Sequence, residues 1–255
     1  ISLLKEVPEN TDEEYSNYII NELNASNLFS EVSVELIENK YIIYIKEFPN
    51  INKIYFDNND RLDDDELKLI AQQSNLTNLN LQIVNSFIDE TKKIYQSFGY
   101  NNIEIQYTKK IYEDTNTVDL FFDIKEGTLT KINQILITGN EMFSNDDIRE
   151  IIISKTKSIR NIFANNNYKP LTLERDRSLI IKYYKDNGYL DIEVNSKIEY
   201  LNDNKVNIYF NIYEGEVYSI ASINIDDSNN ILNPSTLDII NLKIDKYLTD
   251  NNIFS

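Results

Sequence analysis

Three kinds of local signal recur along this chain in a fixed order, and that recurrence constrains its fold more than any other feature. An apolar strand running into a turn occurs as Ile54-Tyr55-Phe56-Asp57-Asn58-Asn59 and, 81 residues later, as Ile135-Leu136-Ile137-Thr138-Gly139-Asn140. A third copy, Ile223-Asn224-Ile225-Asp226-Asp227, follows after a further 88 residues. A helix end followed by an aromatic residue occurs as Phe98-Gly99-Tyr100 and, 89 residues on, as Asn187-Gly188-Tyr189, with a weaker copy at Ser26-Asn27-Leu28-Phe29. Gly and Asn tolerate the left-handed backbone that stops a helix. The third signal is a strand end, at Ile45-Lys46-Glu47, Ile124-Lys125-Glu126-Gly127 and Ile212-Tyr213-Glu214-Gly215.

The repeats can be read as units. An opening strand near 51–57, and again near 131–138, leads into a short helix. Asp63 with Glu66, and Ser144 with Asp147, have the spacing of capping boxes, in which a side-chain oxygen satisfies a free helix N–H. A longer helix follows. Its apolar residues fall at helical spacing: Val84, Phe87, Ile88, Ile94, Tyr95 and Phe98, then Leu173, Ile180, Tyr183 and Tyr184 in the next unit. Tyr15, Tyr18, Ile19 and Leu23 repeat the pattern at the start of the chain.

Two alternating strands close each unit. Ile103, Ile105 and Tyr107 alternate with Glu104, Gln106 and Thr108, and Val118, Leu120, Phe122 and Ile124 form the next inward row. The following unit gives Ile192 and Val194, then Val206, Ile208, Phe210 and Ile212. A period of two with one polar face implies a sheet covered on one side. Glu113 to Asn116 and Asn202 to Asn204 supply the hairpin turns.

The expected fold is therefore α+β: tandem β-α-α-β-β modules, each with two helices packed on a three-stranded mixed sheet. The expected boundaries are 1–50 for a partial first module, 51–128 and 129–216 for two complete modules, and 217–255 for a partial fourth. Residues Ser158 to Asn167 form an insertion-like segment between the helices of the third unit.

Composition narrows function. A formal net charge of −17 argues against nucleic acid and against a polybasic hold on anionic lipid. The chain has no Cys and no His, which removes thiolate nucleophiles, the usual triads and imidazole metal sites. The acidic run from Asp57 to Glu66 resembles a calcium loop but fails as an EF-hand. Counted from Asp57, Leu62 stands where Gly is needed and Lys68 where Glu is needed. With 42 acidic residues, paired carboxylates arise without any distinctive context, and Gly139-Asn140 reads as a turn rather than a phosphate loop. No metal, no cofactor and no catalytic residue is expected. No apolar run reaches the length of about 18–20 residues that a membrane helix needs. With Ile1 first and no signal-peptide pattern after it, the chain reads as a piece of a longer protein.

In the order and spacing of its markers the chain resembles the POTRA domains of BamA, the outer-membrane β-barrel assembly factor. The segments that carry the resemblance are Ile124 to Gly127 followed by Ile135 to Phe143, then Tyr183 to Tyr189, and Ile45 to Pro49 running into a new strand. Asn58-Asn59 and Asp226-Asp227 depart from the usual Gly-Asn, with turn-tolerant residues in its place. The resemblance implies a periplasmic location ahead of a C-terminal membrane barrel absent here, with unfolded outer-membrane proteins and accessory lipoproteins as partners. A secretion or translocation transporter with fewer such domains is the alternative within the fold, and a structural spacer or surface adhesin is the alternative outside it.

The candidate site is an edge strand. A three-stranded sheet has two edges with unpaired backbone groups, and an extended peptide can pair there whatever its sequence. If the opening strand joins the final strand, as in the family resembled, the penultimate strand is left open. The residues expected to receive a peptide are Ile103, Glu104, Ile105, Gln106, Tyr107 and Thr108 in one unit, and Ile192, Glu193, Val194, Asn195, Ser196 and Lys197 in the next. The competing reading is an edge guarded by charge, through Glu104, Lys109, Glu193, Lys197 and Glu199.

Overall fold

Each run of markers folds as one sheet with its helices. In a computed structural model, residues 13–157, 165–218 and a few positions between 233 and 243 are described. The expected third opening strand at 223–227 and most of the Ser158 to Asn167 segment lie outside the described residues. The chain divides into two compact units, residues 1–128 and 129–255.

The first unit begins with helix α1 (Glu13–Ala25), which buries Ile19 and Leu23. The antiparallel hairpin of β1 (Phe29–Ile37) and β2 (Lys40–Glu47) follows. Its turn is two residues, Glu38 and Asn39, both with positive φ, as hairpins of the right-handed twist require. Then come β3 (Asn50–Asp57), α2 (Asp64–Gln73), α3 (Leu81–Phe98), β4 (Glu104–Tyr112) and β5 (Thr117–Lys125). The second unit repeats that order as β6 (Lys131–Thr138), α4 (Asn145–Ile151), α5 (Pro170–Asp186), β7 (Glu193–Leu201) and β8 (Lys205–Tyr213).

Strand order follows from the connections. A short turn joins β4 to β5, so they pair antiparallel; β3 returns through two helices and joins β5 in parallel. The resulting order is β3-β5-β4, and β6-β8-β7 in the second unit. Central strands are buried most deeply: Val118, Leu120, Phe122 and Ile124 of β5, and Val206, Ile208 and Phe210 of β8, are at most 1% exposed. Removing each such side chain from water contributes about 1.5–3 kcal/mol. Both opening strands carry a bulge at the same place, Asn52 in β3 and Asn133 in β6. Each Asn then donates across to the central strand at 2.8 Å, Asn52 to Asp119 and Asn133 to Asn207.

Helix ends follow the sequence signals. Asp63 with Glu66 opens α2 and Ser144 with Asp147 opens α4, both as reciprocal capping boxes. The second contact holds the Asp147 carboxyl below its ordinary range, chiefly through the Ser144 hydroxyl and then the Ser144 N–H. Gly99 ends α3 at φ +106°. Asn58 holds φ +62° where the second unit uses Gly139 at φ +80°, so the Asn-for-Gly departure keeps the left-handed turn. The glutamates at the strand ends also recur in structure. Glu126 accepts from Tyr95 and from the Arg61 N–H, and Glu214 accepts from Tyr184 and from the Met142 N–H.

The two cores differ at one position. Phe87 of α3 sits among Phe56 and Phe122, with ring centroids 6.1 and 4.9 Å away. The residue 89 positions later is Asp176, fully buried in α5. Its carboxylate accepts from the Ile153 N–H at 2.5 Å and from the Ser154 N–H at 3.1 Å. The chain leaves α4 extended at Ile152, so those two N–H groups have no helical acceptor. Helical periodicity, which assigns Leu173, Ile180 and Tyr184 to the core, does not report an acid on the same stripe.

Candidate functional site

The candidate strands begin one residue later than the alternation suggests. Ile103 and Ile192 precede β4 and β7 and belong to the two cores, each 7% exposed. Ile105 and Val194 are buried on the helix-covered face, and Tyr107 is half-buried against Phe122 at 5.6 Å. Glu104, Gln106 and Thr108 are exposed, as are Glu193, Asn195 and Lys197, while Ser196 is half-buried. The twelve residues therefore divide into a row on the helix-covered face, apolar except for Ser196, and a polar row on the uncovered face.

β4 pairs with β5 on one side, and no strand lies on its other side among the described residues; β7 stands in the same relation to β8. In an antiparallel pair, every second residue turns its N–H and C=O toward the partner and the intervening ones turn theirs away. The register is regular along both pairs, Glu104 to Tyr112 against Thr117 to Lys125 and Glu193 to Leu201 against Lys205 to Tyr213. Each edge thus presents an unbroken row of outward backbone groups about nine residues long. β3 and β6 form the opposite edges, and their bulges interrupt the regular spacing there.

The uncovered faces beside these edges are not uniform. On the first sheet Tyr55 and Phe121 stack in parallel, centroids 4.8 Å apart and planes 8° apart. A depression of about 240 Å³ runs from these strands to β4 and includes Asp57, Gln106, Thr108 and Asp123 in its lining. On the second sheet the Tyr209 hydroxyl donates to Glu199 at 2.6 Å, and Asn207 donates to the same carboxylate at 2.9 Å. These two bonds, Tyr209 first, hold the Glu199 carboxyl below its ordinary range. Glu199 is thus tied to β8 as well as standing on the edge strand. The aromatic pair and its flanking acids escape a reading based on strand alternation. Superposing the sequences of the two units residue by residue along β3 and β5 is the signal that would have exposed them.

No group of three or more His, Cys, Asp or Glu side chains is arranged to hold a metal ion among the described residues. No helix among them is long and apolar enough to cross a membrane.

Comparison with known proteins places these features in context. The family model for POTRA, described as surface antigen variable number repeat, matches residues 49–127 and 130–215. The outer membrane protein assembly factor BamA of Buchnera aphidicola is 26% identical over 97% of this chain and 44% of its own length. BamA of Neorickettsia risticii is 25% identical over 86% of this chain and 30% of its own length. The chain thus spans less than half of the curated relatives it matches. Among solved structures, POTRA domains 3–5 of Haemophilus influenzae BamA align over 82% of this chain and 84% of that one, with 12% identity and a TM-score of 0.44.

Proposed function

The chain belongs to the POTRA family, and from that premise we propose that it is the periplasmic, polypeptide-binding part of an outer-membrane protein assembly factor. In this reading β4 and β7 capture extended segments of unfolded barrel proteins, and of accessory lipoproteins, by strand addition. The observation that carries it is the pair of edges. Each is regular over its whole length, anchored by an apolar row on one face and kept soluble by a polar row on the other. Backbone pairing accepts many sequences, as a receptor for many different barrel strands needs. The parent protein, in this reading, continues into a membrane barrel.

Site-specific photocrosslinking tests the proposal. A crosslinker at Gln106 or Asn195 should capture an unfolded barrel protein, and one at Asp89 or Lys182, exposed on the helices, should not. Equal capture from the helices would overturn it.

A further inference from the structure

Strand addition alone gives no preference between one extended segment and another, but the first sheet carries a feature that supplies one. Asp57 and Asp123 are register partners across β3 and β5 on its uncovered face. Like charges directly opposite on neighbouring strands repel. Asn58 donates to Asp123 at 2.6 Å. No Lys or Arg pairs with either acid among the ion pairs of the described residues. Beside them the depression opens onto β4, with Phe121 in its lining and Thr108 as the register partner of Phe121.

The second sheet fills the equivalent positions differently. Thr138 and Asn211 replace the two acids, and their side chains hydrogen-bond at 3.3 Å. Lys197 stands in the place of Thr108, as register partner of Tyr209. The second sheet therefore supplies its own cation beside the ring and has no acid pair. The first has the acids, the ring and an open depression, with Thr108 in the place of that cation. Lys110 and Lys125 stand two residues further along the same face of β4 and β5, Lys110 over Tyr112, and neither is paired with the acids.

We propose that the first sheet selects strands carrying an arginine. Its guanidinium lies over Phe121 and pairs with Asp123, and Asp57 adds to the field. This rests on the strand-addition reading. Neighbouring strands lie about 4.8 Å apart, so a strand added to β4 runs about 10 Å from β5. An extended arginine and an aspartate cover that span together, and the small Thr108 lets the stem pass. A flat guanidinium suits both a ring face and a carboxylate, which a compact ammonium does less well.

The test uses the whole chain and two synthetic extended peptides, identical except for Arg or Gln at the centre, each carrying a photocrosslinker. Crosslinks are mapped to β4 or β7 across a concentration series. At β4 the Arg peptide should bind on the order of tenfold more tightly than the Gln peptide, the size expected of a partly desolvated cation on a ring. At β7 the two should bind alike. The preference at β4 should vanish in Asp57→Thr/Asp123→Asn, which installs the second sheet's residues, and in Thr108→Lys, each first checked for an unchanged melting temperature. Equal binding of both peptides at β4, or a preference that survives these substitutions, would overturn the proposal and leave strand addition standing. Failure of both peptides to crosslink at both strands would overturn strand addition and the proposal with it.

Discussion

Tyr184, fully buried on α5, donates its hydroxyl hydrogen to Glu214 at 2.8 Å, and the same carboxylate oxygen accepts the Met142 N–H at 2.9 Å. Tyr95 and Glu126 make the matching bond at 2.8 Å in the first unit. One glutamate thus ties the long helix, the turn after the opening strand and the end of the closing strand together. Tyr184→Phe should cost about 1.5 kcal/mol, in the range of a hydrogen bond to a charged acceptor. Urea denaturation of the variant measures this, and Tyr95→Phe should behave alike.

These phenols also set a pH dependence. Burial, then the glutamate acceptor, pushes the Tyr184 and Tyr95 hydroxyls well above their ordinary value. Burial likewise pushes Tyr168 up to about 12. A folded-state value above the unfolded one of about 10 means stability that is fully present below that pH and lost as pH rises past it. The melting temperature should fall as pH rises from about 10 toward about 12, and Tyr95→Phe/Tyr184→Phe should lose less over that interval. A parallel fall in the double variant would contradict the assignment.

Gly139 is the turn position least able to carry a side chain. A Cβ there would lie 2.0 Å from the Ile212 carbonyl oxygen, and φ is +80°. Gly139→Ala should destabilise the second unit by more than the roughly 1–2 kcal/mol of a left-handed backbone alone. Asn58→Gly, at the matching turn, keeps the left-handed backbone and loses only the hydrogen bond to Asp123, so it should cost about 1 kcal/mol. Thermal unfolding of the two variants separates them.

Asp176→Ala should cost about 1–3 kcal/mol, because it leaves the Ile153 and Ser154 N–H groups buried without an acceptor. Phe87→Ala, at the corresponding place in the first unit, should cost about 3–5 kcal/mol through a cavity. Faster amide exchange at Ile153 and Ser154 in Asp176→Ala, without comparable change in the sheet, is the expected local signature.

Much of this architecture is legible in the sequence because the repeats put each signal on the page more than once. The capping boxes at Asp63 and Ser144, the helix stop at Gly99 and the alternation along β5 all depend on neighbours in sequence. Connectivity leaves one strand of each hairpin outside, and the resemblance to POTRA domains, in which the opening strand joins the final one, selects β4. What escapes is long-range. Asp176 reads as a surface acid on a helix until the chain leaving α4 is seen to lay two N–H groups beside it. Asp57 and Asp123 are 66 residues apart, and only the parallel register of β3 against β5 sets them side by side. Asn52 and Asn133 look like ordinary polar positions, yet each is the extra residue of a bulge.

The central claim is that β4 and β7 bind extended polypeptide through their outward backbone groups, and a proline scan tests it most directly. Proline has no N–H, so its effect depends on which way that N–H pointed. Proline is placed singly at each position of 104–112 and 193–201, and capture of an unfolded barrel protein by photocrosslinking is measured beside the melting temperature. The account predicts an alternation of period two. The Asn116 and Asn204 carbonyls accept from β3 and β6, which in the β4–β5 and β7–β8 registers turns the N–H groups of Gln106 and Asn195 inward and those of Tyr107 and Ser196 outward. Positions with outward N–H groups, Tyr107 and Ser196 among them, lose capture and keep their melting temperature. The intervening positions lose melting temperature. Unchanged capture at both strands, in every folded proline variant, would contradict the account.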